Sequence, residues 1–329
     1  MKSKIFKILG SLSLLIAFIG CGQEKEIEKV ENYPSKNIDV IVAYKAGGGT
    51  DLGARVLTKE AANKFEHSLV IINRPGADGQ LGFTELAKAK PDGYTIGFIN
   101  LPNYVSISLT RDAQFDKDSI VPIINYVYDQ GVFVVRNDSK WNTIEEFIDD
   151  AKKNVNELTI SNNGTGASNH IGAAEFSKLA GIKVKHIPFG GSSDMLAALR
   201  GEHVDATVAK ISEVTSLVKS GELKILASFT DKRLTNFKDV PTLSEKGYEV
   251  IFGSARGLAA PKGTSDEIVK ILHDKFKTVM ESKKHLDAAK VANLPIYYMG
   301  SEEYRTFIDN QEKSLKVSLA ELGFIKKSK

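Results

Sequence analysis

The sequence predicts an α/β protein of two lobes, each built on a mostly parallel sheet. From residue 38 onward, short apolar strands alternate with glycine-containing turns and helical patterns. A second series of the same kind begins near residue 158, and the last third of the chain is mostly helical. Regular alternation of this kind is typical of a parallel sheet covered by helices. Ligand sites in such sheets lie beyond the carboxyl ends of the strands, where a cleft between lobes would form.

Apolar runs and helical spacing locate each element. In the first series, 40–43, 69–72 and 94–99 are predicted strands, and 51–65 and 81–88 are predicted helices. A strand at 131–135 and a helix at 143–152 lead into the second series. That series has predicted strands at 158–161, 185–187, 204–208 and 225–228, with helices at 168–179 and 194–200. Helices at 265–282, 286–291 and 301–322 follow, and we expect this helical tail to pack onto the first lobe.

Composition and charge narrow the class of protein. The chain has 329 residues, enough for two domains, and its hydrophobic content of 42% and charged content of 26% are ordinary for a globular protein. The formal net charge of +3 comes from Lys2, Lys4 and Lys7, so the rest of the chain is formally neutral. A neutral protein has no electrostatic basis for binding nucleic acid, and we expect no such partner.

The first residues have the features of an export signal. Three lysines precede an apolar run at 8–19, which is short for a membrane span but suits a signal peptide. The run ends at Cys21, the only cysteine, and residues 18–21 (FIGC) resemble a bacterial lipobox. That resemblance implies cleavage before Cys21 and its acylation, with each buried CH₂ contributing roughly 0.8 kcal/mol to membrane anchoring. The alternative, a buried core cysteine, is disfavoured by the flanking residues.

This interpretation gives a signal peptide at 1–20, a tether at 21–35 and an extracytoplasmic protein held at a membrane by lipid. With Cys21 acylated, the chain has no cysteine left for a disulfide, a thiolate metal site or a catalytic thiol.

Two glycine-rich turns, each between a predicted strand and a predicted helix, are the candidate ligand-binding segments. They are GGGTD at 47–51 and GTGAS at 164–168. The first N–H groups of a helix lack intrahelical partners and carry partial positive charge, so such turns bind carboxylates or phosphates. Two turns so far apart in sequence suggest an anion held from two sides. The first turn lacks the Walker A lysine and the G-x-G-x-x-G pattern, which argues against phosphate cofactors.

Side chains near these turns have two interpretations each. Thr50 and Ser168 either cap their helices or offer a hydroxyl to a ligand. Asp51 and Arg55 are four residues apart, so an intrahelical ion pair is the default over a ligand contact. Arg256 lies where the chain is predicted to return to the first lobe. In a cleft it would bind a carboxylate through its bidentate fork, and otherwise it would lie on the surface.

Catalytic signatures are missing from the sequence. The six histidines form no metal-binding spacing such as H-E-x-x-H, and no G-x-S-x-G elbow is present. We therefore predict that the protein is not an enzyme and that it binds no cofactor and no metal.

Ten segments together resemble one known family. They are 33–34, 38–51 with Arg55, 73–77, 91–95, 112–122, 164–168, 201–205, 220–223, 240–245 and 260–263. In order, they resemble the tripartite tricarboxylate transporter solute-binding proteins, also called Bug receptors. The resemblance implies a two-lobed periplasmic-binding-protein fold of type II, with the ligand cleft between the lobes. Lobe I is expected at 36–131 plus 257–329, and lobe II at 132–256.

The resemblance also implies capture of a small carboxylate by the two turns, through backbone N–H groups, hydroxyls and bridging water. The expected ligand-binding residues, to which we add Arg256, are Tyr44, Ala46, Gly48, Gly49, Thr50, Asp51, Ala77, Asn163, Thr165, Gly166, Ala167, Ser168, Phe189 and Gly190. Many relatives have a lysine where this chain has Gly190, and a tryptophan where it has Ala255 and Arg256.

The expected function is a monomeric, lipid-anchored receptor that delivers a small organic carboxylate to integral membrane transporter subunits. A di- or tricarboxylate, an amino acid or an aromatic acid would each suit the two turns. Two alternatives stay open at this point. One is an enzyme that uses the glycine turns for a phosphate-bearing substrate, and the other is a ligand-sensing lipoprotein without a transport role.

Overall fold

The computed structural model describes residues 32–164 and 166–325. The strands are β1 (Ile38–Val42), β2 (Leu69–Asn73), β3 (Thr95–Leu101), β4 (Ile120–Arg136), β5 (Thr159–Asn162), β6 (Lys185–Pro188), β7 (Ala206–Lys210), β8 (Leu223–Ser228), β9 (Gly253–Pro261) and β10 (Ile296–Met299). The helices are α1 (Gly49–Ala61), α2 (Gln80–Lys88), α3 (Asn103–Thr110), α4 (Ile144–Lys153), α5 (Ser168–Ala180), α6 (Ser192–Arg200), α7 (Ile211–Lys219), α8 (Asp266–Met280), α9 (Lys283–Val291) and α10 (Ser301–Glu321). Within the described ranges, no helix combines the length and the apolar character needed to cross a membrane. The predicted signal peptide and Cys21 lie outside these ranges, as does most of the predicted tether.

The strands form a sheet in the order β2-β1-β3-β9-β4-β7-β5-β6, with β8 and β10 also paired to β4. β1 is parallel to β2 and β3, and β5 is parallel to β6 and β7. β9 and β4 lie between these two parallel groups and run antiparallel to their neighbours. The predicted α/β fold with two parallel strand groups is confirmed, and each group is the centre of one lobe.

Two strands connect the lobes. β4 is 17 residues long, and it pairs with β9 over 120–130 and with β7 and β8 over 131–136. It therefore runs from lobe I into lobe II, while β9 brings the chain back. The predicted lobe boundaries, 131/132 and 256/257, fall inside these two strands, and we keep them as the proposed division.

Each lobe has hydrophobic clusters of its own. In lobe I, one cluster joins Val40 and Leu57 to Phe276 of α8, and another joins Tyr104 of α3 to Tyr304 of α10. Two further clusters surround the strands of lobe II. The last three helices thus pack against lobe I, as the sequence predicts.

The sequence patterns did not predict α3, α7, β9 or β10, and they detected only the end of β4. In β4, Pro122 and Asn125 interrupt the apolar run, and the pairing with β9 shifts register at both places. β9 has the sequence GSARGLAAP, which lacks the β-branched and aromatic residues typical of strands. A Cβ on Gly257 would lie 2.5 Å from the carbonyl oxygen of Ile124, so glycine is what lets β9 approach β4.

Candidate functional site

A pocket lies between the two lobes. Its lining comes from the ends of β1, β3, β5 and β7, the starts of the helices that follow these strands, the start of α6, and β9. The lining residues are Tyr44, Lys45, Gly48, Gly49, Thr50, Asn100, Asn103, Asn163, Ser168, Gly191, Ser192, Ser193, Asp194, Lys210, Glu213, Ser254 and Arg256. Most of them follow the carboxyl end of a strand, which is where open α/β sheets bind ligands.

On the lobe I side, the pocket is bounded by the start of α1. Gly48 is the N-cap, and no side chain caps the helix. The backbone N–H groups of Gly49 and Thr50 have no hydrogen-bond partner among the described residues, and both residues line the pocket. Thr50 is therefore not the cap. Its Oγ1 accepts a hydrogen bond from Asn100 Nδ2 at 2.7 Å, so the hydroxyl hydrogen remains available to a ligand.

Asp51 stabilises the glycine turn before α1 from outside the pocket lining. The predicted pair with Arg55 is present, at 2.8 Å between Arg55 Nε and Asp51 Oδ2. The carboxylate also accepts hydrogen bonds from the Gly47 N–H at 2.9 Å and from Asn73 Nδ2 at 3.0 Å. Burial opposes ionisation, but the bonds from Arg55, Gly47 and Asn73 hold the pKa of Asp51 below its ordinary value. Asp51 lies outside the pocket lining.

The second glycine turn differs from its sequence-based description. Three of its backbone N–H groups donate to side chains: Gly164 to Asn162 Oδ1 at 3.0 Å, Gly166 to His170 Nδ1 at 3.0 Å, and Ser168 to Asn103 Oδ1 at 2.8 Å. The expectation of unpaired N–H groups is wrong for these three positions. The N-cap of α5 is Ala167, so Ser168 does not cap the helix either.

The start of α6 supplies unpaired N–H groups on the lobe II side. Ser192 and Ser193 line the pocket, and their N–H groups have no hydrogen-bond partner within the described part of the chain. The N-cap is Gly191, and no side chain caps this helix. At the rim, Lys45 of lobe I meets Asp194 of lobe II at 2.9 Å. Helices α1 and α6 therefore both present such groups to the pocket, one from each lobe.

Arg256 is buried between two carboxylates, with 3% of its surface exposed. Its Nη1 lies 2.8 Å from Asp129 Oδ2, and its Nη2 lies 3.1 Å from Glu213 Oε1. The Nη1 hydrogens are not aligned on Asp129, so that contact is electrostatic, and Nε has no partner among the described residues. Burial raises the pKa of Asp129, although Arg256 and a hydrogen bond from the Ser212 N–H oppose that rise. The surface interpretation of Arg256 is wrong.

Lys210, the last residue of β7, is also buried in the pocket wall. Its Nζ donates to Ser168 Oγ at 3.1 Å and to Asn169 Oδ1 at 2.7 Å. It lies 4.2 Å from the centre of the Phe252 ring. No carboxylate oxygen of the described residues is within 4.0 Å of Nζ. Burial lowers the pKa of Lys210 to about 7.

The structure brings together about half of the predicted site residues. Tyr44, Gly48, Gly49, Thr50, Asn163, Ser168 and Arg256 line the pocket. Ala46, Asp51, Ala77, Gly166, Ala167, Phe189 and Gly190 lie outside its lining, and Thr165 lies outside the described residues. The site prediction did not include the other lining residues, which are Lys45, Gly191, Ser192, Ser193, Asp194, Ser254, Asn100, Asn103, Lys210 and Glu213; the last four come from β3 and β7 and the helices that follow them. The carboxyl-end rule, applied to β3 and β7, was the signal that could have found them.

Two lobes joined by crossing strands around a polar pocket define a periplasmic-type solute-binding protein. The chain belongs to the receptor family of the tripartite tricarboxylate transporters, because the TctC family model, "Tripartite tricarboxylate transporter family receptor", matches residues 53–324. Members of this family are extracytoplasmic solute-binding receptors.

Individual relatives agree with this assignment. The UPF0065 protein in the gbd 5′ region of Cupriavidus necator is 31% identical, over 99% of both chains. The structure of the periplasmic binding protein BugD is 26% identical with a TM-score of 0.83, covering 89% of this chain and 99% of that one. MatC of Rhodopseudomonas palustris with bound malate is 22% identical with a TM-score of 0.82, covering 87% of this chain and all of that one, so it shares the fold.

Proposed function

We propose that this protein is a lipid-anchored receptor that captures a small organic carboxylate and delivers it to a tripartite tricarboxylate-type membrane transporter. The observation that carries the proposal is the pocket between the lobes, where the N-termini of α1 and α6 present unpaired N–H groups from opposite sides. Each helix N-terminus carries roughly half a positive charge, so a carboxylate between them is favoured by both lobes.

The lining favours compact polar acids over aromatic ones. Apart from the Tyr44 ring, the wall consists of amides, hydroxyls, charged groups and glycine backbone. Asn100 Oδ1 and Asn163 Oδ1 are buried with no hydrogen-bond partner among the described residues, so they favour a ligand that also donates hydrogen bonds. Hydroxy- or amino-substituted dicarboxylates meet both requirements.

Two parts of the proposal, the lipid anchor and the transporter partner, are supported by the lipobox resemblance and by the family to which the chain belongs. Acylation of Cys21 would keep the receptor at the membrane, next to the transporter subunits that its relatives serve. We expect a labelled fatty acid fed to producing cells to be incorporated into the wild-type protein and not into Cys21→Ser. A wild-type protein that carries no fatty acid would exclude the anchor.

Thermal shift assays of the purified protein test ligand capture. The panel contains succinate, L-malate, L-aspartate, adipate, citrate and benzoate, with glucose and choline as non-acid controls. At a concentration of 100 Kd, a ligand adds about 2.7 kcal/mol to the free energy of unfolding. We expect at least one polar dicarboxylate to raise Tm clearly, and glucose and choline to leave it unchanged.

Substitutions at the pocket identify where the acid binds. Thr50→Val and Ser168→Ala should weaken the response without unfolding the protein, because each removes a hydroxyl from the pocket wall. Thr58→Val is a matched control, since its hydroxyl bonds only to backbone carbonyls of its own helix, outside the pocket. If no acid raises Tm, whether or not glucose or choline does, the proposed function is wrong.

A further inference from the structure

We propose that Lys210 pairs with the carboxylate of the bound ligand, and that binding brings a proton into the pocket. This inference rests on the proposed function and adds to it a specific cation and a dependence on pH. Sequence patterns gave no sign of it, because Lys210 ends a buried strand far along the chain from both glycine turns.

Among the described residues, the surroundings of Lys210 provide hydrogen-bond acceptors but no anion in contact with its ammonium. Ser168 and Asn169 of α5 accept two of the three ammonium hydrogens, and both are neutral. Buried lysines are rarely left without a carboxylate, since transferring an ammonium from water to the protein interior costs several kcal/mol, roughly, when nothing pairs with it. Lys210 and Ser168 both line the pocket, so a carboxylate entering it can reach the ammonium.

When Asp129 and Glu213 are both ionised, the charges of the pocket balance if Lys210 is protonated. The charged groups that act on it are Asp129 of β4, Glu213 of α7 and Arg256 of β9. With both acids ionised, these three groups sum to one negative charge. At the rim, Lys45 and Asp194 cancel each other. An unprotonated Lys210 would therefore leave a pocket that repels a carboxylate, and a protonated one removes that repulsion.

The charge balance of the pocket determines whether ligand affinity should rise or fall with pH. Burial places the pKa of Lys210 near 7, so at pH 8 most molecules without ligand carry a neutral amine. A bound carboxylate stabilises the ammonium and raises this pKa, so binding takes up a proton above pH 7. Below about pH 6 the lysine is already charged, and affinity no longer depends on its titration. Affinity should then fall as pH rises above 7, by at most about tenfold per pH unit.

Lys210→Met tests the ion pair. Acetate, succinate, L-malate, L-aspartate, adipate and citrate are titrated against wild type and variant in thermal shift assays at pH 6.5. Loss of a charge-assisted hydrogen bond should weaken the strongest wild-type binder roughly 10- to 100-fold. Without ligand, the variant should be at least as stable as wild type, because it removes a buried charge that has no carboxylate partner.

Lys246→Met is the control, since it replaces a lysine of the same lobe that pairs with Glu145 outside the pocket. It should leave the acid response unchanged. If Lys210→Met keeps the wild-type response, or destabilises the ligand-free protein while acids still bind normally, the inference is wrong and the proposed function stands. If no acid affects wild type, both are wrong.

Calorimetry on the wild-type protein tests the proton directly and needs no variant. The acid with the largest thermal shift is titrated at pH 8 in HEPES and in Tris, whose ionisation enthalpies differ. At pH 8, the difference in observed heat should correspond to an uptake approaching one proton per ligand. At pH 5.5, the same comparison should give almost no uptake by the protein once protons exchanged by the ligand's own carboxyl groups are subtracted. Equal heats in both buffers at pH 8 would overturn the inference. So would uptake that persists in Lys210→Met, because another group would then be the acceptor.

Discussion

Replacing Arg256 by methionine should produce the largest loss of stability of any single change in the pocket. The guanidinium lies between Asp129 and Glu213, and the side chains of all three are at most 6% exposed. Methionine would leave these two buried carboxylates without the cation that contacts them. Removing one partner of a buried ion pair typically costs about 3–5 kcal/mol. For lobes of this size, at about 2–4 °C per kcal/mol, that corresponds to a decrease in Tm of roughly 6–20 °C.

The pH dependence of this loss of stability shows whether unpaired buried carboxylates cause it. Without Arg256, the buried carboxylate of Asp129, whose pKa burial already raises, should bind a proton more readily in the folded protein than in the unfolded chain. Folding then takes up protons, so the variant loses stability as pH rises and recovers it as pH falls. We therefore expect a larger deficit relative to wild type at pH 8 than at pH 5. Denaturant unfolding of both proteins at the two pH values measures it.

Two controls make the test decisive. Asp129→Asn added to Arg256→Met should restore part of the stability, since it removes one of the unpaired charges. Lys45→Met breaks a pair whose side chains are 60% and 47% exposed, and such pairs contribute about 0–1 kcal/mol. If Arg256→Met costs no more than Lys45→Met, or costs the same at both pH values, the assignment of a buried charge cluster is wrong.

Two further changes test the geometry between the lobes and the acid sensitivity of lobe II. Gly164→Ala should lower stability by about 1–3 kcal/mol and weaken acid binding, because its φ is +132° and its Cβ would lie 2.0 Å from Asp78 Oδ1. Gly221→Ala, at φ +77° with open space around it, isolates the backbone effect, and an equal loss in both would exclude the clash. Burial lowers the pKa of His170 to about 4, so stability should fall as pH decreases from 6.5 towards 4. His170→Gln should reduce that fall in acid-denaturation curves, and identical curves for His170→Gln and wild type would contradict the assignment.

Local patterns predicted most of the fold because the strand–turn–helix units are local. The glycine turn before α1, for example, combines an apolar strand, three glycines and a helical pattern within a few residues. The same logic failed at β9, whose small residues become a strand only through close packing against β3 and β4. Local patterns also failed to predict α7, and Glu213, which lies on α7, was therefore not predicted as a site residue.

The charged part of the site lay beyond sequence reasoning for a different reason. Asp129, Glu213 and Arg256 come from three elements that meet only in the folded protein. No spacing between them has a meaning in sequence, so the side chain of Arg256 could not be assigned to the cleft or to the surface beforehand. At the glycine turn 164–168 the sequence instead predicted a feature that the folded protein lacks. Its sequence indicated free N–H groups, and the fold supplies Asn103, Asn162 and His170 to bind them.

The contacts between the lobes explain why pH, more than salt, should control closure around a ligand. Asn103 Oδ1 accepts from the Ser168 N–H at 2.8 Å, and Ser106 Oγ donates to the Gly166 carbonyl at 2.9 Å. Neutral hydrogen bonds of this kind contribute about 0.5–1.5 kcal/mol each and are little screened by salt. The Lys45 pair at the rim is exposed and adds about 1 kcal/mol at most. A ligand shifts the lobe equilibrium only by its differential contacts with the two lobes. If the ligand pairs with Lys210 as proposed, that contact should change with pH, because burial places the pKa of Lys210 at about 7.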